Sequence, residues 1–209
     1  MAKIILVRHG DTRLNSAQRF WGQTDVELSQ EGLNQAERLR DFLTTVEIDA
    51  VYTSNLSRAA DTAEIITSKH QVKITTCKEL AEINFGDLEG LTFEEISRQH
   101  PEMAELLSTW SIRPRFPGGE SVDELNKRVS KFLLRLRKHA DEEVILIVSH
   151  AGVLRLMVCN LLGLGLQHWR QIRIDLASLS VVETYTQGAI LSSLNNTSHL
   201  KQGNNMDGW

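Results

Sequence analysis

The chain has 209 residues, with 27 acidic against 23 basic side chains, a formal net charge of −4, and 41% hydrophobic content. That length suits one α/β domain with a sizeable core, and the acidic balance argues against a nucleic-acid partner, which a basic patch or stripe would serve. No run is apolar for the length of a bilayer span, nothing resembles a secretory leader, and Cys77 and Cys159 lack metal or redox spacing, so a cytoplasmic protein is expected, with no membrane partner.

Lys3 to Val7 ends in four apolar residues, three of them β-branched, which predicts a strand buried on both faces. It stops at Arg8-His9-Gly10, where the glycine permits a sharp turn or a close approach to a ligand. Residues 11–27 read as a polar loop. Ser29 precedes Leu33, Ala36, Leu39 and Leu43 at helical spacing, predicting a helix over 30–45. A strand over 48–53, a helix over 57–68 and a short strand over 71–75 follow. Residues 80–121 break the alternation, with a capping box at Thr92-x-x-Glu95 and a helix over 102–110. This block is too short to bury a core of its own, and it is read as a helical and loop insertion over one edge of the sheet. Ser121-x-x-Glu124 opens an amphipathic helix to about 140, with Leu125, Val129, Phe132, Leu133 and Leu136 as its apolar stripe. Val144 to Val148 is the other clearly buried strand, and it ends in Ser149-His150-Ala151-Gly152 before a helix to 162. Later strands are expected near 170–175, 179–185 and 190–194, the last two as a hairpin. From residue 197 a polar, frayed tail is expected.

Strand–helix alternation implies a parallel sheet, and a parallel sheet places His9 and His150 along one rim, at the carboxyl ends of the strands where ligands bind. An isolated Arg-His-Gly is only a polar strand end; two buried strands ending in histidine on one rim are a site. Arg58 follows the second strand at a helix N-terminus, a position unfavourable for a cation unless an anion sits there too. Arg8, Arg58 and two histidines together suit a phosphate dianion, since arginine forks match its oxygens.

These residues resemble the histidine phosphatase superfamily, the phosphoglycerate mutase-like fold. Its Arg-His-Gly followed by an asparagine is matched by Arg8-His9-Gly10 and Asn15. The resemblance continues through Trp21-Gly22-Gln23-Thr24-Asp25, Leu28-Ser29-x-x-Gly32, Tyr52-Thr53-Ser54-x-Leu56-x-Arg58-Ala59, Glu82 and Ser149-His150-Ala151-Gly152. It implies one α/β domain over 1–209, a three-layer α/β/α fold with a mostly parallel central sheet, an insertion over the active site at 80–121, and a flexible tail at 198–209. It also implies that His9 is the phosphorylated nucleophile, that Arg8, Arg58 and His150 bind the phosphoryl group, that Glu82 donates the proton, and that Asn15 and Thr24 line the pocket. No cofactor or metal is required. The chemistry agrees: cations around a histidine keep it neutral and nucleophilic, and a carboxylic acid beside a phosphate dianion holds its proton for the leaving alkoxide. Glu79 and Asp87 compete with Glu82 for that role on spacing alone.

Phe85-Gly86-x-Leu88-Glu89-Gly90 and Pro117-Gly118-Gly119-Glu120-Ser121 are similar to the phosphatase branch rather than to mutases. Arg173-Ile174-Asp175 and Leu194 to Leu200 are similar to α-ribazole phosphatases, with Leu176-Ala177-Ser178 where those enzymes often have Pro-Gly-Ser. The expected partner is a small phosphorylated substrate handled by a monomer or homodimer, with α-ribazole 5′-phosphate the leading candidate. A broad-specificity or phosphoserine-type phosphatase, a phosphoglycerate mutase and a non-catalytic phosphoryl-binding module are the alternatives. Arg113 and Arg115 flank Pro114 and are candidates for a further anionic part of the substrate. Trp21 and Phe85 are candidate apolar walls, and His199 a pocket-edge residue or part of the frayed tail.

Overall fold

The computed structural model describes residues 2–14, 19–109 and 114–201. Among these, six strands form one sheet: β1 (Ala2–Arg8), β2 (Ala50–Ser54), β3 (Ile74–Cys77), β4 (Val144–Ser149), β5 (Leu179–Tyr185) and β6 (Gly188–Asn196), in the order β3-β2-β4-β1-β5-β6. The first four are mutually parallel, and β5 and β6 add an antiparallel hairpin at one end. The helices are α1 (Gln30–Leu43), α2 (Ser57–Thr67), α3 (Phe93–Gln99), α4 (Pro101–Ser108), α5 (Val122–Leu136) and α6 (Ala151–Leu162).

Side chains alternate across β1, and each face finds its own helices. Ile5 and Val7 pack with Leu39 and Leu43 of α1 and Ala59, Ala63 and Ile66 of α2. Ile4 and Leu6 pack on the opposite side with Leu125, Val129 and Phe132 of α5 and Leu154 and Val158 of α6. The result is three layers, helix–sheet–helix, as the strand–helix alternation requires. Both capping boxes form: the hydroxyls of Thr92 and Ser121 accept the amides of Glu95 and Glu124, whose carboxylates accept the cap amides in return. The buried stripe of α5 matches its spacing except at Leu133, which is only partly buried against the core.

The segment over residues 78–121 contributes Leu80, Ile83, Leu88, Ile96 and Met103 to the α5–α6 core rather than to one of its own. Its two helices are nearly one, divided at His100, which precedes Pro101 and leaves the helical region (φ −138°, ψ 64°).

Three expectations are corrected. The strand near 170–175 is absent: a 3-10 turn covers Leu166–Gln171, and the stretch after it pairs with no strand. Alternating burial of Ile172 and Ile174 around exposed Arg173 imitates a strand, but β5 already occupies the edge of β1 it would need. β3 lies later than expected because Val51 to Ser54 of β2 pair with Ile74 to Cys77. Ser198–Leu200 is not frayed: it forms a 3-10 turn held against α1 by Arg38 Nη1 donating to the Leu200 carbonyl (3.2 Å) and by His199 packing on Phe42. Among the described residues, no helix is long and apolar enough to cross a membrane.

Candidate active site

The register of β1 on β4 sets Arg8 opposite Ser149, so His9 and His150 are the next residues of both strands. The amide of His9 donates to the Ser149 carbonyl (3.0 Å), and the imidazole centroids lie 5.0 Å apart at 57°. The parallel pairing thus makes neighbours of two histidines 141 positions apart in the sequence.

His9 is 7% exposed, and its Nδ1 lies 2.7 Å from the carbonyl of Gly10. That oxygen can only accept, so Nδ1 carries the ring hydrogen and Nε2 keeps its lone pair. Burial pushes the His9 pKa well below the ordinary value, with Arg8 and Arg58 next in effect. Gly10 serves packing rather than a ligand, because a Cβ there would stand 2.6 Å from the carbonyl oxygen of Gly32 in α1.

His150 is fully buried, with Nε2 at 2.9 Å from the Ser54 hydroxyl at the end of β2. Ser54 also accepts the Leu56 amide (3.2 Å), and its hydroxyl can either donate to Nε2 or accept from it, so this bond is compatible with both ring tautomers of His150. Burial, then His9 and the arginines, holds this imidazole well below its usual pKa too. His150 Nδ1 and Arg8 Nε are buried without a hydrogen-bond partner among the described residues. A buried donor left unmatched, such as Arg8 Nε, costs free energy, which an anion bound here would recover.

Arg58 is 2% exposed and donates to the carbonyls of Gly22 (2.6 Å) and Thr24 (3.0 Å). The loop carrying those carbonyls is tied down twice. Asp25 accepts the amide and hydroxyl of Ser57 at the start of α2, both at 2.8 Å. Glu89 accepts the amides of Gln23 and Thr24, both at 2.7 Å, and the Thr24 hydroxyl. Thr24 is exposed and its hydroxyl is engaged by Glu89; its carbonyl, which residue type does not advertise, is the group that holds Arg58.

Glu82 accepts the amides of Ile83 (2.9 Å) and Gly152 (3.2 Å), the latter in the first turn of α6. A Cβ on Gly152 would come within 2.6 Å of this carboxylate, so only glycine leaves it room. Its charge acts on both Arg8 and Arg58. The competing carboxylates are placed elsewhere: Glu79 pairs with Arg135 (3.0 Å), and Asp87 lies against Gly118. Arg128 of α5 holds the chain around Glu82, donating to the carbonyls of Glu79, Ala81 and Glu82 and pairing with Glu120 (2.6 Å). Glu120 in turn accepts the amide of Asn84 (2.9 Å). Arg128 and Glu120 are the site residues that sequence reasoning missed; the Gly-Gly-Glu-Ser motif and the capping box marked their surroundings without revealing the bond between them.

Asn15 and Arg113 lie outside the described residues. Arg115 is exposed and pairs with Glu124, so it is engaged away from the histidines. Trp21 donates to the Leu14 carbonyl (3.2 Å), and Phe85 stacks edge-on with Phe20 and Phe116. A cavity of about 920 Å³ lies elsewhere, lined by residues including Ala2, Ile145, Lys131, Asn160 and Gly188, with no histidine or carboxylate. It has the volume of a ligand site but not the chemistry. Among the described residues, no group of three or more His, Cys, Asp or Glu is placed to share a metal ion.

An α/β sheet with two neutral histidines and two guanidiniums at its carboxyl rim defines a phosphoryl-handling protein. The comparisons with known proteins agree. The chain matches the family model of the histidine phosphatase superfamily (branch 1) over residues 4–197, and it belongs to that family. It is 32% identical over 200 residues to phosphoserine phosphatase 1 of Hydrogenobacter thermophilus, covering 96% of this chain and 95% of that one. It is also 32% identical over 196 residues to the adenosylcobalamin/α-ribazole phosphatase of Escherichia coli, covering 92% and 95%. The crystal structure of the α-ribazole phosphatase from Shigella flexneri superposes with a TM-score of 0.86 at 31% identity, over 93% of this chain and 96% of that one. The protein is a phosphatase of this superfamily.

Proposed function

We propose that this phosphatase hydrolyses a small organic phosphomonoester through a phosphohistidine formed on His9. The observation that carries the reading is a buried, neutral His9 with a free Nε2 lone pair, flanked by Arg8, Arg58 and His150. In this mechanism Nε2 attacks phosphorus, the P–N bond forms and the ester P–O bond breaks. Arg8, Arg58 and His150 hold the non-bridging oxygens as charge spreads over them. Glu82 gives its proton to the departing alkoxide. It then takes one from the water that attacks phosphohistidine, releasing phosphate and restoring His9.

Two substrates are consistent with this site. The similarity of Arg173-Ile174-Asp175 and Leu194 to Leu200 to α-ribazole phosphatases supports α-ribazole 5′-phosphate, and the Hydrogenobacter relative supports phosphoserine. The test is hydrolysis of p-nitrophenyl phosphate in the presence of a metal chelator. Turnover inhibited by vanadate and abolished in His9→Ala is expected; full activity in that variant overturns the mechanism. Phosphoglycerate mutation with negligible hydrolysis would make the protein a mutase instead. A panel with α-ribazole 5′-phosphate and phosphoserine then ranks the substrates.

A further inference from the structure

The stretch between the 3-10 turn and β5 spends its carbonyls on arginines. That of Ile172 accepts from Arg155 Nε and that of Ile174 from Arg8 Nη1, both at 2.8 Å. Its end continues the pairing of β1 with β5 by two residues: the Arg8 amide donates to the Ser178 carbonyl (3.2 Å), and the Ala177 amide to that of His9 (3.0 Å). Arg8 and His9 are therefore backed by residues 174–178, Arg8 in both its guanidinium and its main chain.

Ala177 is the strained member of this backing. The Ser178 amide closes a turn on the Asp175 carbonyl (3.1 Å), and Ala177, fully buried, stands in that turn at φ +51°. Turns that need a positive φ favour glycine or asparagine, because a Cβ opposes the left-handed conformation. Another residue stays there only where its surroundings over-determine it. Residues 195–200 supply that constraint. Asn195 grips Asp175 with both ends of its amide: Oδ1 accepts the Asp175 N–H (2.6 Å), and Nδ2 donates to the carboxylate (2.8 Å). His199 Nε2 lies 2.9 Å from the Ala177 carbonyl, which can only accept, so Nε2 carries the ring hydrogen. The His199 ring packs on Phe42 of α1 (centroids 5.4 Å apart), and Arg38 of the same helix holds the Leu200 carbonyl (3.2 Å). One residue thus joins two histidines: His199 holds the carbonyl of Ala177, and the amide of Ala177 holds the carbonyl of His9.

We propose that His199 is a positioning residue for the nucleophile, keeping Ala177 in its left-handed conformation and, through it, the His9 backbone in place. This rests on the assignment of His9 as nucleophile above. The φ of Ala177 sets its amide against its carbonyl. Released from His199, it relaxes toward negative values and draws the amide away from His9, and small displacements of an attacking atom are costly in rate.

The experiment follows p-nitrophenolate release from p-nitrophenyl phosphate in a single turnover with enzyme in excess. That rate constant reports attack by His9 and does not change with the fraction of enzyme that is folded. His199→Phe keeps a ring on Phe42 and loses the donor, whereas His199→Gln keeps a donor. His199→Phe is expected to slow the step about tenfold, the scale of one hydrogen bond, with KM changed less than about twofold. His199→Gln is expected to stay within about threefold of the wild type. Phosphoserine shows the same loss, since the nucleophile and not the leaving group is displaced. An unchanged single-turnover rate in His199→Phe overturns the proposal, as does a His199→Gln enzyme that is equally slow. A loss confined to phosphoserine places the effect on Glu82 and overturns it as well. A wild type that releases no p-nitrophenolate, or a His9→Ala variant as fast as the wild type, instead overturns the mechanism on which the proposal rests.

Discussion

The role proposed for His9 makes two demands: the imidazole must lie among cations to reach a phosphate, and it must stay unprotonated to attack. Burial answers the second before the arginines add to it, and the Gly10 carbonyl fixes which nitrogen is left free. Glu82 is held by two amides rather than by a cation, so its position does not depend on the arginines it faces. If Glu82 is the proton donor, its loss matters in proportion to the basicity of the leaving group. Glu82→Gln is expected to lower kcat about 100-fold or more for an alkyl ester such as phosphoserine, and far less for p-nitrophenyl phosphate, whose phenolate leaves without a proton. Steady-state kinetics on the two esters checks this, and equal losses would remove Glu82 from the proton-transfer step.

Among the elements, the loop over residues 22–25 contributes carbonyls rather than side chains, and its geometry is borrowed from neighbours. Glu89 lies 65 positions from Thr24, yet three of its bonds determine where the Thr24 and Gly22 carbonyls meet Arg58. Glu89→Ala is expected to raise KM and the vanadate inhibition constant about five- to tenfold with a smaller change in kcat, from the loss of roughly 1 to 1.5 kcal/mol of hydrogen bonding to a partly solvated carboxylate. A kcat loss with unchanged KM would place Glu89 in the chemical step instead. The contrast shows what was legible in the sequence. Elements whose cause is local, such as the capped helices α3 and α5 and the strands β1 and β4, were readable from spacing and caps. So were the positions of Arg8, His9 and His150, which stand at the carboxyl ends of β1 and β4, and of Arg58, which opens α2 after β2. The Glu89 clasp and the Arg128–Glu120 support were not, since residue type and spacing carry no record of bonds between side chains and distant backbone. The stretch after residue 171 misled for the same reason: its alternation is that of a strand, but its carbonyls are taken by arginine side chains.

Over the whole molecule, two neutral histidines beneath the surface link stability to pH. Both have folded-state pKa values below the ordinary 6.5, so below that pH the unfolded chain binds protons that the folded chain refuses. Their contribution is fully present above about pH 6.5 and is lost as pH falls toward the depressed values, by at most about 1.4 kcal/mol per pH unit for each ring. Denaturant melts between pH 6.5 and 5 are expected to show a shallower loss of stability in His9→Gln than in the wild type, by close to one proton. An unchanged slope would mean that His9 titrates alike in both states.

The strand order has a consequence for how the protein comes into being. β1 is made first, but both its neighbours, β4 and β5, belong to the last third of the chain. The backbone around His9 is completed from the stretch just before β5: the Ala177 amide donates to the His9 carbonyl, and the Arg8 amide to that of Ser178. During synthesis the strand that leads into His9 emerges unpartnered on both edges and waits for more than a hundred residues. Such long-range pairing slows folding and leaves apolar edges open meanwhile. The strand that leads into His9 is therefore one a nascent chain must shelter long, and the proposed site is complete only when residues 144–149 and 177–184 have paired with it.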